Sequence, residues 1–255
     1  MEYIEKVDQR DLYGDGIGKV ELWDFARANE NEESRIEAVA TVASICYGKP
    51  PQDAKKLVER LRTESGGLPS SAFEFIRSCY YHDISVSLRN NAKLQTDEEW
   101  CENDSVKPET MAEWQREVVA TFKIKVPIFV ARQVMRHRQF SYQELSRRYT
   151  ADDQVALESW SPDIDLRILY TDLYNHAYKI YRALILDGKR PEIARAVLPV
   201  GLYTEFWMQG DAPAWENYFK LRLNKHAQPE HRELAQAMLD LLEKHQPELW
   251  EKVKL

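Results

Sequence analysis

Glycine is scarce in this chain, nine in 255 residues, and neither a GxGxxG nor a GxxxxGK[ST] pattern occurs. A nucleotide or flavin bound here has no Rossmann turn or P-loop to rest in, so its phosphates must be held by side chains such as arginine and by helix N-termini. Gly14-Asp15-Gly16-Ile17-Gly18 comes nearest, but its third glycine falls one residue early, with Lys19 where that glycine belongs. It reads as a turn between short strands. Cysteine is scarcer still: Cys46, Cys79 and Cys101 are odd in number and far apart, as in a reduced, cytosolic protein. No apolar stretch approaches the length of a bilayer, and the start MEYIEKVDQRDLYGDG lacks the basic and apolar runs of a signal peptide. A cytoplasmic protein with no membrane association is expected. An excess of positive charge is missing as well. The net charge of −7 argues against nucleic-acid binding and leaves room for a small anion in one positive pocket.

The composition, 44% hydrophobic and 30% charged, is that of an ordinary globular protein with one sizeable core, and no linker or repeat divides residues 1–255. Spacing at 3.6 residues predicts a helix from Asn31 (Ile36, Val39, Ala40, Ala43, Cys46) and another through Ala54, Leu57, Val58 and Leu61. Ala120, Phe122, Ile124 and Val126 alternate with Thr121, Lys123 and Lys125, which predicts a half-buried strand. The longest helix signal runs from Pro162 to Leu186, with Leu166, Leu169, Leu173, Ala177, Ile180 and Leu184 as its buried stripe and Gly188 as its cap. Its tyrosines read as packing. A short helix from Pro191 ends before Pro199, and Leu202 to Trp207 reads as a strand. Asp211 caps a helix reaching about Leu223, and a last helix spans Glu230 to Glu243.

Chemistry concentrates in residues 126–150, VPIFVARQVMRHRQFSYQELSRRYT. Pro127 fits a first helical position, and Ile128, Ala131, Val134 and Met135 form a buried stripe. Gln133, Arg136 and His137 lie three and four residues apart, on a neighbouring polar face. After Arg138, an extended run would point Glu144, Ser146 and Arg148 the same way, with Arg147 alternating. Arg132, Arg136, Arg138, Arg147 and Arg148 fall within seventeen residues, a density suited to carboxylate or phosphate. The plain alternative is a solvated basic helix end. Further on, Arg222 shares a stripe with Trp215, Tyr218 and Phe219. A charge there needs a partner, either a ligand or a buried salt bridge.

Arg136-His137-Arg138, seven residues, then Ser146 and Arg148-Tyr149 resemble the signature of the flavin-dependent thymidylate synthases. Pro127 to Gln133 resembles that family's lead-in, Arg190 to Pro199 and Leu202 to Trp207 resemble later segments, and Ser44-Ile45-Cys46-Tyr47 resembles an early one. The pattern departs at residues 66–75, where Ser71, Phe73 and Glu74 survive but Pro69 and Phe75 replace the usual histidines. Residues 77–115 read as an insertion. The resemblance implies a mixed α/β (α+β) fold, with helices around a curved, mainly antiparallel sheet in a single domain. It also implies a homotetramer with active sites shared between subunits. The implied reaction turns dUMP into dTMP with methylenetetrahydrofolate as carbon donor and FADH2, regenerated by NADPH, as hydride donor. Gln133, Arg136, Glu144, Ser146, Arg148 and Arg195 are the implied dUMP contacts, with Arg147 a further candidate. Arg222 is implied at the uracil carbonyl as the catalytic residue. Ser71, Arg136, His137, Arg138, Glu144 and Asn217 are implied at the FAD, where Asp211 takes the place of a usual Asn. No metal site is expected.

The residues agree with that chemistry. A conventional thymidylate synthase attacks the uracil ring with a thiolate, and none of the three cysteines sits where its pKa would fall. A flavin route instead needs a polarised uracil and a stabilised negative charge. Two other outcomes fit the same residues: a relative that hydroxymethylates a pyrimidine nucleotide, and a non-catalytic protein that binds dUMP.

Overall fold

The computed structural model describes residues 4–25, 31–50, 52–64, 119–150, 157–161 and 166–250. Pro69, Ser71, Phe75, Cys79, Cys101, the 77–115 insertion and the predicted helix start at Pro162 lie outside the described residues. In chain order the strands are β1 (Glu5–Asp11), β2 (Lys19–Asp24), β3 (Val119–Pro127), β4 (Ser141–Glu144) and β5 (Tyr203–Asp211). The helices are α1 (Glu32–Ser44), α2 (Ala54–Glu64), α3 (Ile128–Val134), α4 (Arg167–Leu186), α5 (Pro191–Ala194), α6 (Ala212–Arg222), α7 (Pro229–His245) and α8 (Pro247–Trp250). Short 3₁₀ turns at Ile45–Tyr47 and Arg195–Val197 follow α1 and α5.

The strands form one sheet in the order β1-β2-β3-β5-β4, with every pairing antiparallel. This is the expected mixture of helices and antiparallel sheet. The β1–β2 turn is fixed by Asp15, whose Oδ1 accepts from Ile17 N at 2.8 Å and Gly18 N at 3.0 Å. Gly14 and Gly16 take positive φ there, a conformation that costs glycine nothing.

Period-two alternation decides what each face does. Val20, Leu22, Ala120, Phe122, Ile124, Val126, Phe206 and Met208 are buried on one face, with α3, α6 and α7 packed over them. Trp215 is sealed there, its Nε1 donating to Ala120 O at 3.3 Å and Gly210 O at 3.0 Å. Cutting it to Ala would cost about 3–5 kcal/mol. Gly210 must be glycine because an added Cβ would lie 2.4 Å from the Phe140 ring, and that contact holds the segment between α3 and β4 against the sheet. On the other face Trp207 joins the core of α1 and α2, while Lys123 and Lys125 pair with Glu205.

Three predictions need correction here. Pro127 is the last residue of β3 in extended backbone, and the helix starts one residue later. Helix α3 also stops at Val134, so Arg136 and His137 lie in the turn beyond it and share no helix face with Gln133. Helix α4 is inverted relative to its predicted stripe. Tyr174, Tyr178 and Tyr181 face inward, whereas Leu169 and Leu173 are 68% and 60% exposed. Packing as the role of the tyrosines is borne out.

Candidate functional site

Two neighbouring clusters hold the predicted residues. The first lines a cavity of about 420 Å³, within the usual size of small-molecule sites. Its walls include Ile128, Ala131 and Arg132 from α3, Met135 just past its end, Glu144 at the end of β4, Arg147, Arg195, and Thr204 of β5. Thr204 Oγ1 donates to Glu144 Oε1 at 2.8 Å. Burial raises the Glu144 carboxyl above its ordinary pKa, and it prevails over the Thr204 bond and the attraction of Arg132 and Arg195. Three arginines and one carboxylate among the lining residues give the cavity an excess of positive charge, the electrostatics of an anion pocket. Helix ends contribute little. The first two amides of α3 are already bonded, Ile128 N to Leu202 O at 2.9 Å and Phe129 N to Val200 O at 3.1 Å. The expectation that helix N-termini hold phosphate is not met at α3.

The extended run predicted through Arg148 is also corrected. β4 ends at Glu144, and a turn over residues 147–149 reverses the order of the two arginines. Arg147, the weaker candidate by sequence, is buried on the cavity wall. Arg148 faces out, its Nε donating to Glu192 Oε2 at 3.0 Å. Ser146 caps this turn: its carbonyl accepts from Tyr149 N at 3.1 Å and Thr150 N at 3.2 Å, and its hydroxyl accepts from Arg148 N at 3.3 Å. Cys46 backs β4, with Sγ donating to Glu144 O at 3.3 Å and accepting from Gln143 Nε2 at 2.7 Å. Burial raises its thiol pKa, the opposite of an activated nucleophile.

The second cluster adjoins the first, since Arg132 and Gln133 are consecutive on α3. Arg222, on the last turn of α6, donates from Nε to His137 Nε2 at 2.7 Å. An arginine Nε–H only donates, so His137 must accept as a neutral imidazole. Burial, reinforced by the Arg222 charge, lowers the His137 pKa to about 4. The ring packs edge-on against Tyr218 and Phe140. Tyr142, two residues before Glu144 on β4, donates to Val134 O at 2.9 Å and His137 O at 3.0 Å. Among the described residues no carboxylate pairs with half-buried Arg222. Of the two partners foreseen for this charge, the buried salt bridge is absent there.

The remaining flavin candidates spread along the rim of this cluster. Arg136, Arg138 and Asn217 are exposed, and Asn217 makes a long 3.4 Å bond to Gln139 Oε1. Two cations and a primary amide form a donor set suited to a pyrophosphate-bearing cofactor. Asp211 is different: its Oδ1 caps α6 by accepting from Ala214 N at 2.8 Å. Within one chain, Arg136 and Arg222 do not line the cavity that Arg195 lines. Sequence reasoning counted Arg132 in the cationic cluster without giving it a contact, and missed Thr204 as a site residue. Arg132 falls at i+4 from Ile128, so the helical spacing of Ile128, Ala131 and Met135 carried the signal.

Residues 29–248 match the model described as "Thymidylate synthase complementing protein", and the chain belongs to that family. A protein of Thermus thermophilus named flavin-dependent thymidylate synthase is 36% identical over 149 residues, covering 52% of this chain and 55% of its own. One of Pseudothermotoga lettingae with the same name is 40% identical over 136 residues, covering 48% of this chain and 60% of its own. The matched stretch thus spans little more than half the length of these relatives. A solved structure, a UMP/dUMP methylase PolB from Streptomyces cacaoi bound with 5-Br dUMP, shares 26% identity over 53% of this chain and 69% of its own. Its TM-score of 0.45 is too low to define a shared fold.

Proposed function

We propose that the chain methylates dUMP to dTMP as a flavin-dependent thymidylate synthase. Methylenetetrahydrofolate would be the carbon donor and NADPH the source of reducing power. The observation that carries this reading is the arginine-rich cavity within a chain matched by the family over residues 29–248. Reduced by NADPH, a bound flavin would supply the hydride; the protein's own side chains bind, orient and stabilise. Arg132, Arg147 and Arg195 hold the monophosphate, and Glu144 with Thr204 orients the sugar and base side. Ser146 sets the turn that carries Arg147 inward. Arg222 offers the guanidinium nitrogens that no described residue takes to the uracil oxygen where negative charge develops, and Gln133 and Arg136 join it there. Neutral His137 aims Arg222 without neutralising it. Arg136, Arg138 and Asn217 meet the flavin, with Ser71 in the same role. No protein nucleophile is needed, which agrees with the raised Cys46 thiol.

The separation of the two clusters has a direct consequence. The cavity residues of one chain and the Arg222 cluster of another complete each site, in a cytoplasmic, single-domain chain assembled as a homotetramer. Helix α4 supports this, with Ile168, Leu169, Leu173 and Ile180 exposed on one long element and Ile193, Val197 and Val200 exposed beside the cavity. Arg148, turned outward, then reaches the nucleotide of the adjoining chain. The test is release of hydrogen from C5 of dUMP by the FAD-loaded protein supplied with NADPH, with and without methylenetetrahydrofolate. Folate-dependent release is expected, with dTMP as product by mass. A hydroxymethylated product, or dUMP binding with no release, would replace this reading by one of the two alternatives.

A further inference from the structure

Behind the second cluster runs a polar chain of which the chemistry above uses only Gln133. His231 is fully buried on α7, a helix whose other inward residues (Leu234, Ala235, Met238, Leu241, Leu242) are apolar. A histidine in that row is costly to bury unless both ring nitrogens are bonded. Both are: Nε2 lies 3.0 Å from Tyr218 Oη, and Nδ1 lies 3.3 Å from Gln133 Oε1. Gln133 Nε2 in turn donates to Gln228 Oε1. The last bond fixes the direction of the rest. With Nε2 of Gln133 donating, its Oε1 must accept, so His231 carries its proton on Nδ1. Its Nε2 is then the acceptor, and the Tyr218 hydroxyl is the donor. Burial and the nearby Arg222 charge keep the ring neutral, with its pKa lowered to about 3, as a one-donor, one-acceptor link requires.

We propose that His231 is a positioning residue: with Tyr218 behind it, it locks the Gln133 amide in one orientation, so that the second Nε2 hydrogen is reserved for an oxygen of the bound nucleotide. Phosphate and carbonyl oxygens only accept, so a flipped amide would present Oε1 to them and repel. This inference rests on the dUMP reading of Gln133. It adds two side chains, His231 and Tyr218, that neither sequence spacing nor the cavity reveals.

Two substitutions separate positioning from packing. Asparagine carries its amide nitrogen near the place of histidine Nδ1, so His231→Asn keeps the donor towards Gln133. Glutamine reaches the place of Nε2, so His231→Gln keeps a partner for Tyr218 and abandons Gln133. Titrating dUMP into the FAD-loaded proteins should show His231→Asn within about threefold of the unmodified protein and His231→Gln weaker by about tenfold. Thermal unfolding should show similar losses of stability in both. Equal dUMP affinities in the two variants would overturn the proposal. On the unmodified protein, nitrogen-15 NMR of the histidines should show His231 as the neutral Nδ1-protonated tautomer. An Nε2-protonated ring would reverse the whole chain of donors and overturn it equally. Failure of the unmodified protein to bind dUMP would instead sink the functional reading, with the tautomer still deciding the direction of the chain.

Discussion

The cavity and the Arg222 cluster handle positive charge in opposite ways. In the cavity, Arg132 and Arg195 act on Glu144 across a space open to solvent, so their charge is partly balanced before any ligand arrives. At the end of α6, Arg222 is half-buried among aromatic rings and bonded to a neutral imidazole. A cation so placed is poorly hydrated and has no anion among the described residues. Charge developing beside it would gain more than charge beside a solvated arginine. The difference teaches a division of labour: the first cluster suits binding of a group already charged, the second suits stabilisation of charge that appears during reaction.

The largest effect should therefore come from Arg222. Arg222→Ala is expected to lower turnover by roughly 10²–10³ with the fold retained, whereas Arg195→Ala should mainly raise the KM for dUMP. Circular dichroism and steady-state rates would separate these, and turnover unchanged in Arg222→Ala would remove it from its role. Mixing the two variants sharpens the comparison. If one chain supplies the cavity and another supplies Arg222, co-refolded hybrids should recover activity up to about a quarter of the unmodified level. No recovery would place both clusters of each site within a single chain.

Protonation gives the next largest effect. The folded protein holds His137 and His231 neutral, with pKa values of about 4 and about 3 against 6.5 for free histidine. As pH falls through about 6.5 the unfolded chain takes up protons that the folded chain refuses, so stability drops. The stabilisation is complete above the unfolded pKa and is lost progressively as pH approaches the folded value. His137→Gln keeps an acceptor for Arg222 and removes one of these two groups. The slope of unfolding free energy against pH, from denaturant titrations between about pH 6.5 and 4.5, should fall by roughly half of the part these two histidines supply. An unchanged slope would mean that His137 is already protonated in the fold, and Arg222 would then need an anionic neighbour.

Much of this was legible in the sequence where one rule governed. The alternation of Ala120 to Val126 gave β3, and the cap at Asp211 gave α6, because each depends on local geometry alone. Arg222 stood out because a charge interrupts an apolar stripe. The order of Arg147 and Arg148 was not legible, since strict alternation was assumed past Glu144, where Ser146 closes a turn. Helix α4 failed for another reason. Leu169 and Leu173 and the tyrosines Tyr174, Tyr178 and Tyr181 both repeat at helical spacing, so periodicity defines two apolar faces and does not choose between them. The choice falls to Tyr174 and Tyr178 packing with Leu202 beside the cavity, a contact between residues distant in sequence. His231 was invisible for a similar reason, because its partners lie on α3 and α6.

The smallest effect concerns Asp211, where the two clusters' logic meets a structural duty. Its carboxylate caps α6, and a cap is worth about 1 kcal/mol, so Asp211→Ala should lose roughly that much. Asparagine caps equally well, so Asp211→Asn should unfold within about 0.5 kcal/mol of the unmodified protein. The two changes differ in charge towards a flavin pyrophosphate. A carboxylate beside phosphate repels it, so removing that charge while keeping the cap should tighten FAD binding a few-fold, on the order of the 0.3–1 kcal/mol that one exposed charge carries. Fluorescence titration with FAD measures this directly. If Asp211→Asn binds FAD no better than the unmodified protein, Asp211 acts on helix α6 alone and the flavin phosphates lie elsewhere along the Arg136–Arg138 rim.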